Sequence, residues 1–213
     1  VETFHLPDDK IHVIGNPFVL EKIRHLAQES VSEPLFQGAA PILLSVGRLA
    51  PEKGGEDLLR AFSQLRQQTD ARLVFLGAGP EKDRLERLCR EMGLEGDVHF
   101  PGYRENPFRY MARSTALALP SHYEGFGNVL VEAMACGLPV VATRCYPGIE
   151  EIVEDGKTGL LVEVGDEAAM AAALLRVLND EQLRRRLAEA GRERAQMFDN
   201  VRIVQNYRTV LNL

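Results

Sequence analysis

Short, continuously apolar runs that end at glycine or proline alternate along this sequence with longer segments of helical periodicity. Two of these runs are ILLSV at 42–46, which ends at Gly47, and RLVFL at 72–76, which ends at Gly77. Strands that are apolar at every position are typical of sheets buried on both faces. Their alternation with helices predicts right-handed βαβ crossovers, and therefore a parallel sheet with helices on both faces.

This pattern predicts a Rossmann-like, doubly wound α/β fold with about six strands. The predicted strands are residues 42–46, 72–76, 98–100, 116–119, 139–142 and 159–162. The predicted helices are residues 57–68, 81–92, 106–113, 127–136 and 166–178, followed by one that starts at Asp180. Ligands of such folds bind beyond the carboxyl ends of the strands. We therefore expect the functional residues just after residues 46, 76, 100 and 119.

The two ends of the sequence are interpreted as attachments to this core. Residues 11–17 are predicted to form a strand that runs into a turn, and 203–211 an amphipathic segment with Ile203, Tyr207 and Leu211 on one side. The sequence begins at Val1 with no initiator Met, which favours a piece cut or processed from a longer protein. The whole of 1–213 is predicted to be one nucleotide-sugar-binding domain. Residues 1–35 and 199–213 would contact or lead to an N-terminal acceptor domain.

Composition excludes several classes of protein. The 213 residues carry 25 Lys and Arg against 31 Asp and Glu, and this acidic balance argues against a nucleic-acid partner. Since no apolar run approaches the roughly 18 residues of a membrane span, any membrane contact would come through the other domain. The three cysteines, Cys89, Cys136 and Cys145, show no Cys-x-x-Cys spacing. We expect a cytoplasmic protein, peripheral to the inner membrane at most.

The first candidate site is the loop from Gly47 to Gly54, which follows the first strand. It carries Arg48 and Lys53, and two cations at the mouth of a parallel sheet can hold a diphosphate from two sides. A surface loop with ordinary solvated cations is an equally good interpretation of this stretch alone. A second candidate, Gly77-Ala78-Gly79-Pro80, begins like a dinucleotide fingerprint. Because Lys82 stands at its third glycine position, a tight turn beside a nucleotide is favoured over an NAD site.

The third candidate, from Pro120 to Gly137, has the strongest chemistry. A strand ends, a glycine-rich loop follows, and the free amides of a helix starting near Gly127 form an anion site. Glu124 precedes the helix, and Glu132 lies about 8 Å along it at 1.5 Å per residue. Since two carboxylates would repel a phosphate between them, we expect them to accept hydrogen bonds from sugar or ribose hydroxyls. A salt bridge on the helix surface is the alternative for Glu132.

Three motifs together resemble the retaining GT-B glycosyltransferases of family four, the glycosyl transferases group 1. They are G-R-L-x-x-x-K-G at 47–54, P-S-x-x-E-G-F-G-N-V-L-x-E-A-M-A-x-G-x-P-V-V-A at 120–142, and G-x-x-G-L-L-V at 156–162. The segments VIGNPF at 13–18 and NPF at 106–108 are similar to members that use UDP-sugars in surface-polysaccharide or glycolipid assembly. The resemblance implies the C-terminal, donor-binding half of a GT-B fold.

The resemblance also implies roles for individual residues. Arg48 and Lys53 would hold the diphosphate, Glu132 the ribose, and Glu124, the predicted catalytic residue, the hydroxyls of the donor sugar. Further substrate contacts would come from the loop and helix start, Gly125, Phe126, Gly127, Asn128, Val129 and Leu130. The loop containing Gly102, Tyr103 and Arg104 would flank the base. None of the five histidines stands in a matching context. His122, close to Glu124, is interpreted as a loop residue with no special role, and a ligand contact is the alternative.

The predicted reaction is hexosyl transfer from a nucleotide-diphosphate sugar, a UDP-sugar by resemblance, with retention of anomeric configuration. No Asp-x-Asp occurs in the sequence, so cations and helix amides, and no metal or other cofactor, are expected to stabilise the departing diphosphate. The chain is expected to be inactive without its acceptor domain. A non-catalytic nucleotide-binding module, or a nucleotide-sugar epimerase or dehydrogenase, remains the alternative.

Overall fold

A six-stranded parallel sheet forms the centre of the computed structural model, which describes residues 11–145 and 148–212. The strands are β1 (Ile42–Val46), β2 (Arg72–Leu76), β3 (Val98–His99), β4 (Ala116–Leu119), β5 (Val140–Thr143) and β6 (Leu160–Val162). Their order across the sheet is β3-β2-β1-β4-β5-β6, and all neighbours are parallel. The predicted Rossmann-like, doubly wound fold is confirmed.

Helices cover both faces of the sheet. They are α1 (Leu20–Ala27), α2 (Gly55–Leu65), α3 (Lys82–Glu91), α4 (Phe108–Met111), α5 (Asn128–Ala135), α6 (Ile149–Ile152), α7 (Glu167–Asn179), α8 (Glu181–Ala195) and α9 (Asn200–Leu211). Short 3₁₀ turns occur at Pro34–Gln37, Pro51–Lys53 and Gln196–Phe198. Within the described ranges, no helix combines the length and the apolar character needed to cross a membrane.

Burial on both faces explains why the strands are apolar throughout. In β1, Leu43 and Leu44 are both fully buried, although successive side chains point to opposite faces. Leu43 packs in the core beneath α2 and α7, with Phe62, whereas Leu44 packs in the core beneath α5, with Leu130. A strand with a polar face could not occupy this position.

The first described residues differ from the prediction. Residues 11–17 form no strand, and the segment pairs with neither edge strand of the sheet, β3 or β6. Val13 is 77% exposed. The chain is held instead at Phe18, whose amide donates to the Phe198 carbonyl at 2.9 Å and whose carbonyl accepts from the Asn200 amide at 2.8 Å. The predicted contact region 1–35 falls partly on residues 1–10, which lie outside the described residues.

The sheet changes winding direction between β1 and β4. The chain leaves β1 towards α2 on one face, and leaves the neighbouring β4 towards α5 on the other. The two connections therefore separate at the carboxyl ends of these strands and leave a crevice between them. Ligands of doubly wound folds bind in this crevice.

Candidate functional site

A cavity of about 660 Å³ occupies the crevice between the carboxyl ends of β1 and β4. It brings together most of the residues expected to bind substrate, although they come from two separate loops and a helix. Its lining comprises Asn16, Val46, Gly47, Arg48, Lys53, Glu124, Gly125, Phe126, Gly127, Asn128, Val129 and Glu132.

Both cations of this cavity are paired with carboxylates. Arg48, whose side chain is 67% exposed, contacts Glu52, four residues along the chain, at 2.5 Å. Lys53 is more enclosed, and its Nζ donates to Oε1 of Glu124 at 2.7 Å. Arg48 can therefore swing towards a ligand at little cost, whereas Lys53 can bind one only by leaving or sharing Glu124.

Glu124 is held from two sides. Its residue surface is only 8% exposed, and Oε1 also accepts a hydrogen bond from the Ser121 hydroxyl at 2.7 Å. Ser121 is itself fully buried, and its carbonyl accepts a hydrogen bond from the Thr143 hydroxyl at the end of β5. The carboxylate is thus fixed in orientation before any ligand arrives, as recognition of a particular hydroxyl requires.

The amino end of α5 closes the same cavity. Gly127 precedes the helix with a φ of +89°, a conformation that disfavours any residue with a side chain. The amides of residues 127–129 come before the first turn closes and are the donors that a helix start offers. The amide of Leu130 already donates to the Gly127 carbonyl at 2.9 Å, and its side chain is fully buried. The Leu130 side chain therefore anchors the start of the helix in the core.

Glu132 lies one turn into α5 and lines this cavity and its neighbour. Burial raises the pKa of its carboxyl group above the ordinary value. One turn further along the helix, burial and the charge of Glu132 raise the pKa of the Cys136 thiol to about 12, so that thiol stays protonated. Glu132 is therefore a carboxylate whose charge is poorly compensated by this helix.

A second cavity, of about 550 Å³, joins the first at Val46–Arg48 and Glu132. Its other lining residues are Leu76, Gly77, Ala78, Tyr103, Arg104, Glu105, Pro107 and Phe108. Tyr103, predicted to flank the base, therefore stands in its wall. Gly102 lines neither cavity, and like Leu130 it is a predicted binding residue that contacts neither space.

The two glycines of the incomplete fingerprint, Gly77 and Gly79, have a structural role. An added Cβ would stand 1.8 Å from the Gly47 carbonyl oxygen at position 77, and 2.2 Å from the Leu49 carbonyl oxygen at position 79. The amide of Leu49 also donates to the Ala78 carbonyl at 2.9 Å. These glycines let the loops after β1 and β2 touch, which favours the tight-turn interpretation over an NAD site.

Six lining residues were missed in reasoning from the sequence: Val46, Leu76, Glu105 and three that lie in quoted motifs. Asn16 lines the first cavity and donates from Nδ2 to Oδ1 of Asn128 at 2.9 Å. Pro107 and Phe108 line the second cavity. All three belong to the two Asn-Pro-Phe segments quoted for the resemblance, so that repeated tripeptide was the available signal.

His122 points away from the crevice. Its Nε2 lies 2.6 Å from Oδ2 of Asp57, at the start of α2. It therefore belongs to the loop, as expected. Within residues 11–145 and 148–212, no three His, Cys, Asp or Glu side chains are grouped closely enough to hold a metal ion.

Comparison with known proteins agrees with this geometry. A model of the family "Glycosyl transferases group 1" matches residues 27–194. The chain is 37% identical over 206 residues to N-acetylgalactosamine-N,N'-diacetylbacillosaminyl-diphospho-undecaprenol 4-alpha-N-acetylgalactosaminyltransferase of Campylobacter jejuni, covering 97% of this chain and 54% of that protein. It is 39% identical over 177 residues to D-inositol 3-phosphate glycosyltransferase of a Nocardioides species, covering 75% and 38%. The chain spans about half the length of the curated relatives it matches.

Solved structures show the same relationship. Anabaena Alr3699/HepE in complex with UDP superposes with a TM-score of 0.84 at 31% identity, covering 94% of this chain and 57% of that one. The same protein in complex with UDP-glucose superposes with a TM-score of 0.82 at 29% identity. A glycosyltransferase from Rickettsia africae, 21% identical with a TM-score of 0.85, shares the fold.

Proposed function

The chain belongs to the family of glycosyl transferases group 1, and we propose that it is the donor-binding half of an enzyme that transfers a hexosyl group from a UDP-sugar. The transfer retains anomeric configuration, takes place in the cytoplasm and serves the assembly of a surface polysaccharide or glycolipid. An N-terminal acceptor domain of the same protein completes the cleft.

One observation carries this proposal: a single crevice holds two cations, a helix start and two carboxylates. Arg48, Lys53 and the amides at the start of α5 are donors suited to a diphosphate. Glu124 and Glu132 stand on either side of those amides and are acceptors suited to hydroxyl groups. A nucleoside diphosphate sugar carries hydroxyls on both sides of its diphosphate. UDP and UDP-glucose complexes of Anabaena Alr3699/HepE favour uridine as the nucleoside.

The proposed mechanism assigns leaving-group stabilisation to the chain. Negative charge grows on the diphosphate as its bond to the anomeric carbon breaks, and preorganised donors stabilise that charge without having to reorient. Lys53 is the mobile donor, because it exchanges Glu124 for the phosphate as the sugar hydroxyls take over the carboxylate. Glu124 positions the sugar so that the acceptor attacks from the required side. No metal takes part in these steps.

Isothermal titration of the chain with UDP, AMP and NAD tests this function. UDP should bind more tightly than the other two, because only its diphosphate and uracil match both cavities, and EDTA should not weaken it. NAD binding as tight as UDP binding would favour a dehydrogenase. A strict need for Mg²⁺ would contradict the metal-free mechanism.

A further inference from the structure

The second cavity is the place for the nucleobase if the proposed function holds, and the inference that follows rests on that function. This cavity adjoins the diphosphate cavity at Arg48 and Glu132, and its remaining wall includes the flat or apolar side chains of Tyr103, Pro107 and Phe108. Such a wall suits a planar, uncharged ring.

The wall is a segment with no regular structure. Residues 101–105 form neither strand nor helix, and Tyr103 is 72% exposed. Arg104 ties the segment to itself, since Nη1 donates to the Pro101 carbonyl at 2.7 Å and to the Tyr103 carbonyl at 3.1 Å. The backbone that faces the cavity is therefore held in place by the Arg104 guanidinium.

Two groups from other parts of the fold fix that guanidinium. Nε of Arg104 lies 3.1 Å from the Tyr110 hydroxyl and 3.4 Å from Oε1 of Glu33. The Tyr110 hydroxyl also donates to Oε1 of Glu33, which closes a triangle of three side chains. Tyr110 is fully buried in α4, and its ring packs edge-on against Phe36, with centroids 5.2 Å apart. A loop is thus tied to the core through three groups, which we name the Glu33–Arg104–Tyr110 brace.

The brace carries both a cost and a gain in stability. Oε2 of Glu33 is buried and has no hydrogen-bond partner among the described residues, which is a costly state for a charged oxygen. Burial raises the pKa of Glu33, but the hydrogen bonds from Tyr110, its own backbone and Arg104 outweigh that effect and leave the pKa below its ordinary value. Arg109 adds charge on the other side, with Nη2 donating to the Tyr110 hydroxyl at 3.1 Å. The lowered pKa means that ionised Glu33 stabilises the folded protein at neutral pH, so the brace adds stability as well as fixing the orientation of the Arg104 guanidinium.

We propose that Glu33 and Tyr110 are positioning residues for nucleobase selection, acting through Arg104. They fix the backbone groups of Tyr103 and Arg104 against the base edge. Uracil and cytosine differ in the hydrogen-bonding groups on that edge, so a fixed wall distinguishes them and a loose wall does not. The diphosphate, in the neighbouring cavity, does not sense the brace.

The test uses two variants that remove single groups while keeping side-chain shape. Tyr110→Phe removes the hydroxyl, and Glu33→Gln removes the charge. Arg104→Lys, in the loop itself, covers the case in which a buried variant fails to fold. Glu181→Gln is the control, since Glu181 is an exposed partner of Arg185 on α8. Each chain is titrated with UDP, CDP and inorganic pyrophosphate after its thermal unfolding has been recorded.

The parent should prefer UDP to CDP. The Tyr110, Glu33 and Arg104 variants should each bind UDP about 5- to 10-fold more weakly, the loss expected for one such hydrogen bond, and their ratio of UDP to CDP affinity should approach one. Pyrophosphate affinity should stay within about twofold, because the cations and the start of α5 are untouched. Unchanged ratios in all three variants would overturn the proposal, and so would an equal loss of pyrophosphate, which would make the brace merely structural. A parent that binds pyrophosphate as tightly as UDP would instead overturn the proposed function, and the proposal with it.

Discussion

At the scale of single residues, the two glutamates of the crevice stand in opposite environments. Glu124 is compensated by Lys53 and Ser121, whereas no ion pair or side-chain hydrogen bond of Glu132 is found within 11–145 and 148–212. Burial raises the pKa of Glu132 from 4.5. A half-buried and uncompensated carboxylate weakens the fold, which is typical of a residue retained for its ligand.

Glu132→Gln should therefore stabilise the free protein in a pH-dependent way. Because the folded pKa lies above 4.5, the folded state binds more protons than the unfolded state, and stability falls as pH rises from about 4.5 through the folded pKa. Glutamine resembles the protonated form and avoids this cost. The midpoint temperature of thermal unfolding should be higher for the variant than for the parent at pH 7, and the two temperatures should be nearly equal at pH 4. Glu189→Gln, at an exposed position of α8, is the control. A Glu132→Gln variant that is less stable than the parent at pH 7 would contradict the argument.

The Lys53–Glu124 pair predicts opposite effects of its two members on UDP. Lys53→Ala should weaken UDP binding by about 1–3 kcal/mol, the range for charge-assisted hydrogen bonds. Glu124→Gln should leave UDP binding unchanged or tighter, because Lys53 loses its competing partner, while the gain in affinity from UDP to a UDP-sugar shrinks. Paired titrations with UDP and UDP-glucose measure both effects. Lys157→Ala, in the exposed pair with Glu154, is the control for loss of a lysine.

The outcome separates two roles for Glu124. If Glu124→Gln weakens free UDP as much as Lys53→Ala does, the carboxylate supports the loop rather than the sugar. Glu132→Ala should weaken UDP and UDP-sugar alike, since the ribose is common to both.

At the scale of elements, the strands were predictable and the segment at 11–17 was not. Strands buried on both faces are apolar at every position, so β1, β2 and β4 coincide with their predicted limits. Residues 11–14 are also largely apolar, but a strand needs a partner strand, and the sequence does not show that this segment pairs with neither β3 nor β6. Whether a short apolar segment forms a strand depends on partners that lie far away in the sequence, and the local pattern does not show them.

The crevice itself was predictable for a related reason. Its residues follow strand ends, and the carboxyl ends of parallel strands meet at one edge of a sheet. The Glu33–Arg104–Tyr110 brace could not be predicted, because Glu33 lies 71 residues from Arg104 and 77 from Tyr110 along the chain. No motif or periodicity connects such positions before the fold is known.

The contact between the loops after β1 and β2 yields a prediction at this scale. An added Cβ at Gly79 would meet the backbone carbonyl of Leu49 at 2.2 Å, and backbone cannot move aside as a side chain can. Gly79→Ala should lower the free energy of unfolding by about 1–3 kcal/mol, the usual cost of overpacking. It should also weaken UDP binding, since Arg48 stands on the displaced loop. Gly96→Ala is the matched control, because no atom lies within 4 Å of the added Cβ there. Equal chemical denaturation curves for the two variants would contradict this reading of the fingerprint.

At the scale of the whole molecule, residues of the crevice and of the last helix are exposed. The side chain of Arg48 is 67% exposed. Tyr103, measured over the whole residue, is 72% exposed. Helix α9 carries exposed apolar residues, with Val201 at 74%, Tyr207 at 47% and Leu211 at 60%. Among residues 199–212, the described part of the predicted contact segment, only Ile203 is buried against this chain. The acceptor domain as their partner stays a prediction.

The last prediction concerns turnover. The 213-residue chain should bind a UDP-sugar but transfer no sugar, because the proposed acceptor domain would hold the acceptor nucleophile near the anomeric carbon, and such positioning supplies much of the rate. It should at most hydrolyse the donor slowly, since water reaches the open site. Radiolabelled UDP-sugars, incubated with this chain and with a protein that joins it to an acceptor domain, measure transfer and hydrolysis separately. Lys53→Ala in the joined protein is the control, and it should lower transfer through loss of leaving-group stabilisation. Full transfer by the 213-residue chain alone would show that it holds the acceptor itself and would contradict the two-domain proposal.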